Sequence, residues 1–183
     1  MNNEAHIRIL SVDDHPLLNE GIAALICYQL DMQLVAQATS GSDAIVKFRG
    51  HRPDVTLMDL RLPDKSGIDT MIAIRTEFPE ARIIMLTTFE GDVEIQRALG
   101  AGAHGYVLKS MPPQDLVATI RQVHAGKKGI PSEVRLDGRT KSRMSLCQYL
   151  ISQTAIDECF DHLLCIKVVR EPGVNPARLV KLP

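Results

Sequence analysis

The stretch VTLMDLRLPDKSG, residues 55–67, sets four residues of strand character directly ahead of an aspartate, Asp59. A short run this rich in Val, Leu and Met reads as a parallel strand covered on both faces. A carboxylate at the mouth of such a strand loses hydration, which is costly unless a neighbour uses its charge. The residues behind it, LPDKSG, carry proline and glycine and read as a loop opening into a helix. Asp59 therefore needs a partner, and the partner has to come from other strand ends.

Similar runs flank it: IRILSV (7–12), MQLVAQA (32–38), RIIMLT (82–87) and GYVLK (105–109), with the central strand itself read as 54–59. Between them lie helical spacings. Leu18, Ile22, Leu25 and Ile26 make one stripe, Ala44, Ile45 and Phe48 another, and Ile68, Met71, Ile72 and Ile74 a third. Leu116, Ile120 and Val123 follow the last strand at helical intervals. Pro16 suits a first helical turn, and Gly67 and Gly91 stand in strand-to-helix connections. Gly50 and Gly126 are expected just past helix ends. Five strands alternating with five helices predict an α/β fold, a parallel sheet with helices on both faces. Ligands of such sheets bind beyond the carboxyl ends of the strands.

At those ends the sequence places acids. Asp13 and Asp14 follow the first strand and Asp59 closes the third. If the strands are neighbours, three carboxylates share one cleft, and their repulsion calls for a cation. An oxygen-rich, thiol-free donor set suits Mg2+. Thr87 ends the fourth strand and Lys109 the fifth, a hydroxyl and an ammonium suited to phosphoryl oxygens. Asp59, central in the group, is the candidate nucleophile that forms an acyl phosphate. Singly, each residue has an ordinary reading: Asp14 as a helix cap, Thr87 as a strand-end hydroxyl, Lys109 as a solvated charge. Together they point to phosphoryl chemistry.

At matching spacings, ILSVDDHPLL, VTLMDLRLPDKSG, IIMLTTFEGD and AGAHGYVLKS resemble the receiver domain of bacterial two-component response regulators. The resemblance covers about residues 5–126 and is closest to the NarL/FixJ subfamily. It implies a doubly wound, flavodoxin-like sheet of order 2-1-3-4-5. It also implies that Asp59 accepts a phosphoryl group from a sensor histidine kinase, with Mg2+ held by Asp13, Asp14, Asp59 and the backbone carbonyl of Arg61. Thr87 and Lys109 then contact the phosphoryl group, and Tyr106 changes rotamer as the Thr87 hydroxyl moves. Catalysis extends at most to the protein's own phosphoryl transfer and dephosphorylation, and the family's output is transcription control. Many receivers place a cis proline after the lysine; here Ser110 follows, and a cis bond before a non-proline residue costs about 3 kcal/mol.

The chain has 183 residues, 45% of them apolar, enough for a core and too many for wholesale disorder. No run of ~18 apolar residues or basic leader occurs, so a cytoplasmic protein without a membrane span is expected. Four scattered cysteines agree with a reducing compartment. Charge is uneven: residues 1–126 carry 11 Lys and Arg against 16 Asp and Glu, residues 127–183 carry 10 against 6. A basic tail is compatible with DNA contact.

The texture changes near Glu133. Residues 127–143 read as a linker and 144–183 as a short C-terminal region without the helix-turn-helix that usually follows in the subfamily. DNA binding by this tail is therefore left open, as is a homodimer. Cys159, His162 and Cys165 form C-x2-H-x2-C, but on one helix they fan too widely for a tetrahedral metal site. Among rival functions, an FMN carrier is disfavoured because DDHP would repel phosphate. An aspartyl-phosphate phosphatase wants an acid where Arg61 stands. A stand-alone receiver working through protein contacts shares the same switch and differs only past residue 133.

Overall fold

The computed structural model describes residues 6–88 and 92–129. Within them the order is β1 (Ile7–Val12), α1 (Pro16–Cys27), β2 (Met32–Ala38), α2 (Gly41–His51), β3 (Val55–Asp59), α3 (Gly67–Glu77), β4 (Ile83–Thr87), α4 (Asp92–Gly100), β5 (Gly105–Leu108) and α5 (Pro113–His124). The strands form one all-parallel sheet in the order β2-β1-β3-β4-β5, the doubly wound topology expected. The region 144–183, the remainder of the linker from residue 130 and the C-x2-H-x2-C motif lie outside the described residues.

Handedness follows from this order. The crossover from β1 to β2 runs toward one edge and the next three run toward the other. Right-handed crossovers then put α1 on the face opposite α2, α3 and α4. α5 shares the α1 side, where Arg121 forms two hydrogen bonds of 2.8 Å with Asp31 in the α1–β2 turn. All five residues of β3 and of β4 are buried, as strands sandwiched between helix layers must be. Because β1 and β3 are neighbours whose following helices depart to opposite faces, a crevice opens beyond their carboxyl ends.

Local chemistry sets the helix limits. The Ser40 and Ser66 hydroxyls accept the N–H groups of Asp43 and Asp69, capping α2 and α3, while Pro16 and Pro113 open α1 and α5. Gly50 falls inside α2 instead of after it. The helix ends at Arg52, left-handed at φ 46°, because Pro53 forbids another helical turn. The Arg52 guanidinium lies 3.9 Å from the Phe78 ring centre, and Phe78 stacks on Phe48 at 5.2 Å. Ile72, expected in the α3 stripe, points outward at 45% exposure; Ile68, Met71 and Ile74 carry the packing.

After α5 the chain does not leave at once. Gly126 takes φ +78°, which reverses the backbone, and Lys127 N–H closes the turn on the Gln122 carbonyl. Gly129 then docks beside the edge strand: its N–H reaches His104 O at 2.9 Å and its carbonyl accepts Tyr106 N–H at 3.0 Å. The compact fold thus includes the first three residues of the stretch read as linker.

Candidate functional site

Strand register brings the predicted residues together. Val12 pairs with Met58, Asp59 with Leu86, and Thr87 with Leu108, so Asp13, Asp59, Thr87 and Lys109 emerge at nearly one level along the sheet's carboxyl edge. The Lys109 ammonium bridges two acids, 2.6 Å from Asp13 Oδ2 and 3.0 Å from Asp59 Oδ2. Asp13, Asp59, Thr87 and Lys109 are all buried, whereas Asp14 stands at the exposed mouth. Lys109 N–H also donates to Thr87 O at 2.6 Å, linking the ends of β4 and β5. The described residues contain no cis peptide, so the Lys109–Ser110 bond is trans.

Asp59 carries the electrostatic tension of the site. Burial pushes its carboxyl above the ordinary carboxylate value; the Lys109 ammonium opposes the rise, Asp13 adds to it, and an Arg61 N–H hydrogen bond lowers it. The loop behind Asp59 is narrow. Gly67 N–H returns to Leu60 O at 2.9 Å, Arg61 bridges Ser66, and a Cβ on Gly67 would lie 1.9 Å from the Asp59 carbonyl oxygen. Only glycine fits there. Tyr106 is fully buried in β5, opposite Met85 of β4.

Three supporting residues escaped the sequence reading. Asn19 of α1 is buried; its amide donates to Asp13 O at 2.6 Å and it accepts the Ser11 hydroxyl at 2.8 Å, anchoring the β1 end. Asp64 accepts the N–H groups of Gly41 and Ser42, each at 2.8 Å, tying the β3–α3 loop to the start of α2. The Ser42 hydroxyl and these N–H groups hold Asp64 far below the usual carboxylate range. His15 places Nδ1 2.9 Å from Asp14 Oδ1. Of the three, only the D-D-H triplet left a signal in sequence, because the other two contacts span distant elements. Asp14 makes no helix cap; the α1 N-cap position is His15, without a side-chain cap bond.

The residues suit a divalent cation. Single ligand atoms from Asp13, Asp14, His15 and Asp59 all lie within 4.8 Å of one another. Asp13 Oδ2 is buried and accepts no hydrogen bond, Lys109 meeting it in ion-pair contact outside hydrogen-bond geometry. Carboxylates grouped at a partly open cleft are hard oxygen donors with room for waters, the requirement of Mg2+.

Comparison with known proteins agrees with this geometry. Residues 9–121 match the family model of the response regulator receiver domain. The response regulator protein VraR of Staphylococcus epidermidis is 34% identical over 146 residues, covering 79% of this chain and 70% of that protein. Among solved structures, a two-component response regulator of the LuxR family from Aurantimonas sp. SI85-9A1 superposes with a TM-score of 0.67. It is 38% identical, over 70% of this chain and 91% of the other. The signal receiver domain of NarL from Mycobacterium tuberculosis gives a TM-score of 0.65 at 27% identity, over 67% of this chain and 99% of that domain. A five-stranded 2-1-3-4-5 sheet with a lysine between two strand-end aspartates, and relatives of this kind, lead to one conclusion: the chain belongs to the response regulator receiver domain family, and within it to the NarL type.

Proposed function

We propose that the chain is the phosphoacceptor of a two-component phosphorelay, with Asp59 as the acceptor and a sensor histidine kinase as the donor. What carries the reading is the Lys109 bridge to Asp13 and Asp59 inside a buried acidic cleft. An Asp59 carboxylate oxygen attacks the phosphorus of the kinase's phosphohistidine; the P–O bond forms, the P–N bond breaks and the imidazole leaves with a proton. Burial disfavours a bare Asp59 carboxylate, and the ammonium of Lys109 opposes that effect, favouring the ionised form that attacks. Lys109 and the Thr87 hydroxyl are the groups placed to meet phosphoryl oxygens. Asp13, Asp14, Asp59 and the Arg61 carbonyl would hold Mg2+, which supplies charge neutralisation at the transferring group.

The phosphoryl group replaces one carboxylate charge with about two and adds three strong acceptors. Thr87 and Lys109 move toward it, and the Tyr106 ring, already buried, is held in the space behind Thr87. The face made by α4, β5 and α5 changes with it. The chain acts in the cytoplasm and regulates transcription; among the described residues no helix is long and apolar enough to cross a membrane. The receiver extends over about residues 5–126, the linker over 127–143 and the output region over 144–183.

The test uses the full chain with acetyl phosphate and Mg2+. A hydroxylamine-labile phosphoryl adduct is expected on the wild type and none on Asp59→Ala. An adduct that persists in the variant overturns Asp59 as acceptor. A gel shift with and without beryllofluoride then reads the output: retarded DNA supports transcription control through direct binding, and phospho-dependent assembly without retardation counts against it.

A further inference from the structure

We propose that His15 adds a nitrogen ligand to the ion held by Asp13, Asp14, Asp59 and the Arg61 carbonyl, so that the site takes Mn2+ and other nitrogen-accepting divalent ions ahead of Mg2+. The inference rests on the metal reading of the cleft given above and adds to it a ligand and a selectivity. Four ligand atoms, one from each of these residues, lie within 4.8 Å of one another. His15 Nδ1 is 2.9 Å from Asp14 Oδ1 and 3.3 Å from Asp13 Oδ1. Adjacent ligands on an octahedral ion with bonds of about 2.1 Å stand about 3.0 Å apart. His15 Nδ1 therefore already stands at about the ligand-to-ligand spacing of an octahedral ion from each of the two carboxylate oxygens.

Asp13 divides its oxygens between two tasks. Oδ2 faces Lys109, 2.6 Å away, in the interior. Oδ1 faces the mouth, where it accepts His15 N–H at 2.9 Å and meets the ring nitrogen. The lysine and an ion at the mouth thus use different edges of the carboxylate, and one need not displace the other. The backbone bond also holds His15 in place: the residue is extended at φ −86° and ψ 109°, directly before Pro16, and its side chain caps nothing. With 73% of the side chain exposed, an ion reaches Nδ1 from solvent. Imidazole is a good ligand for transition-series ions and a poor one for Mg2+, which favours oxygen donors. Adding it to three carboxylates shifts preference toward the former.

Nδ1 could instead donate a hydrogen bond to Asp14 across the same 2.9 Å, and the experiment separates the two. The full chain and His15→Gln are titrated with Mn2+ and, separately, with Mg2+, and bound Mn2+ is examined by pulsed EPR. The wild type is expected to show nitrogen hyperfine coupling that His15→Gln lacks. The variant should bind Mn2+ roughly tenfold more weakly and Mg2+ nearly as well as the wild type. Mn2+ binding without nitrogen coupling, or with unchanged affinity in the variant, overturns the proposal and leaves the metal reading standing. If neither ion binds, both fall together.

Discussion

Lys109 sets one ammonium against two buried carboxylates, and each partner bears on the stability of the others. Asp59 is the strained member because burial raises its carboxyl pKa above the ordinary 3.8. For a raised carboxyl the favourable contribution is complete below that ordinary value and is lost as pH rises through the folded-state value. In a chelator, Asp59→Asn should therefore melt a few degrees above the wild type at pH 7, with the two curves converging in acid. Thermal unfolding across pH checks this, and a lower melting point for the variant at pH 7 would contradict it. Lys109→Met removes the shared cation and leaves Asp13 and Asp59 facing each other. A loss of about 3 kcal/mol in urea unfolding is expected in chelator, partly restored by added Mg2+. Asp59, Thr87 and Lys109 were legible one strand at a time, since each closes an apolar run. Asn19 and His15 were not, since their roles depend on which atoms the fold brings beside Asp13.

At the scale of single elements, two glycines make opposite demands. Gly67 opens α3 against the carbonyl of Asp59, and a Cβ there collides with backbone that cannot yield. Gly67→Ala should cost about 2 kcal/mol or more and weaken Mg2+ binding, because the displaced oxygen is the backbone carbonyl of Asp59. Gly50 sits within α2, where an added Cβ meets nothing within 4 Å. Gly50→Ala should stabilise by about 0.5–1 kcal/mol in the same urea assay. Periodicity located α1, α2, α3 and α5 to within a turn and left α4 to the alternation of elements, and it misplaced Gly50 as a terminator. The true stop is set by Pro53, whose effect on the preceding residue is steric and outweighs the weak helix propensity of glycine. Ile72 is a similar case: a helical stripe drawn from four apolar residues is wider than the face α3 buries against the sheet.

Across the whole molecule, the carboxyl ends of β1, β3, β4 and β5 converge on the acidic cleft, while Gly129 fastens the departing chain to β5 beside Tyr106. A side chain at 129 would meet Thr119 Cγ2 at 2.6 Å and Val123 Cγ2 at 2.9 Å. Gly129→Val in the full chain should detach this segment and raise hydrogen exchange at the Tyr106 amide by at least tenfold, with global stability changed little. Unchanged protection of that amide would show that the contact does not form in solution. The amino-acid sequence by itself determined the alternation of five strands and five helices and the acids at the strand mouths. Those features are local: hydrophobic period and turn chemistry act over a few residues. Tertiary structure alone decided that Lys109 bridges Asp13 and Asp59, that Asp64 clamps the start of α2 to the β3–α3 loop, and that the chain beyond α5 returns to the edge of the sheet. Each of these contacts joins residues distant in sequence, and their distances are set by strand order and register, which emerge only when the sheet closes.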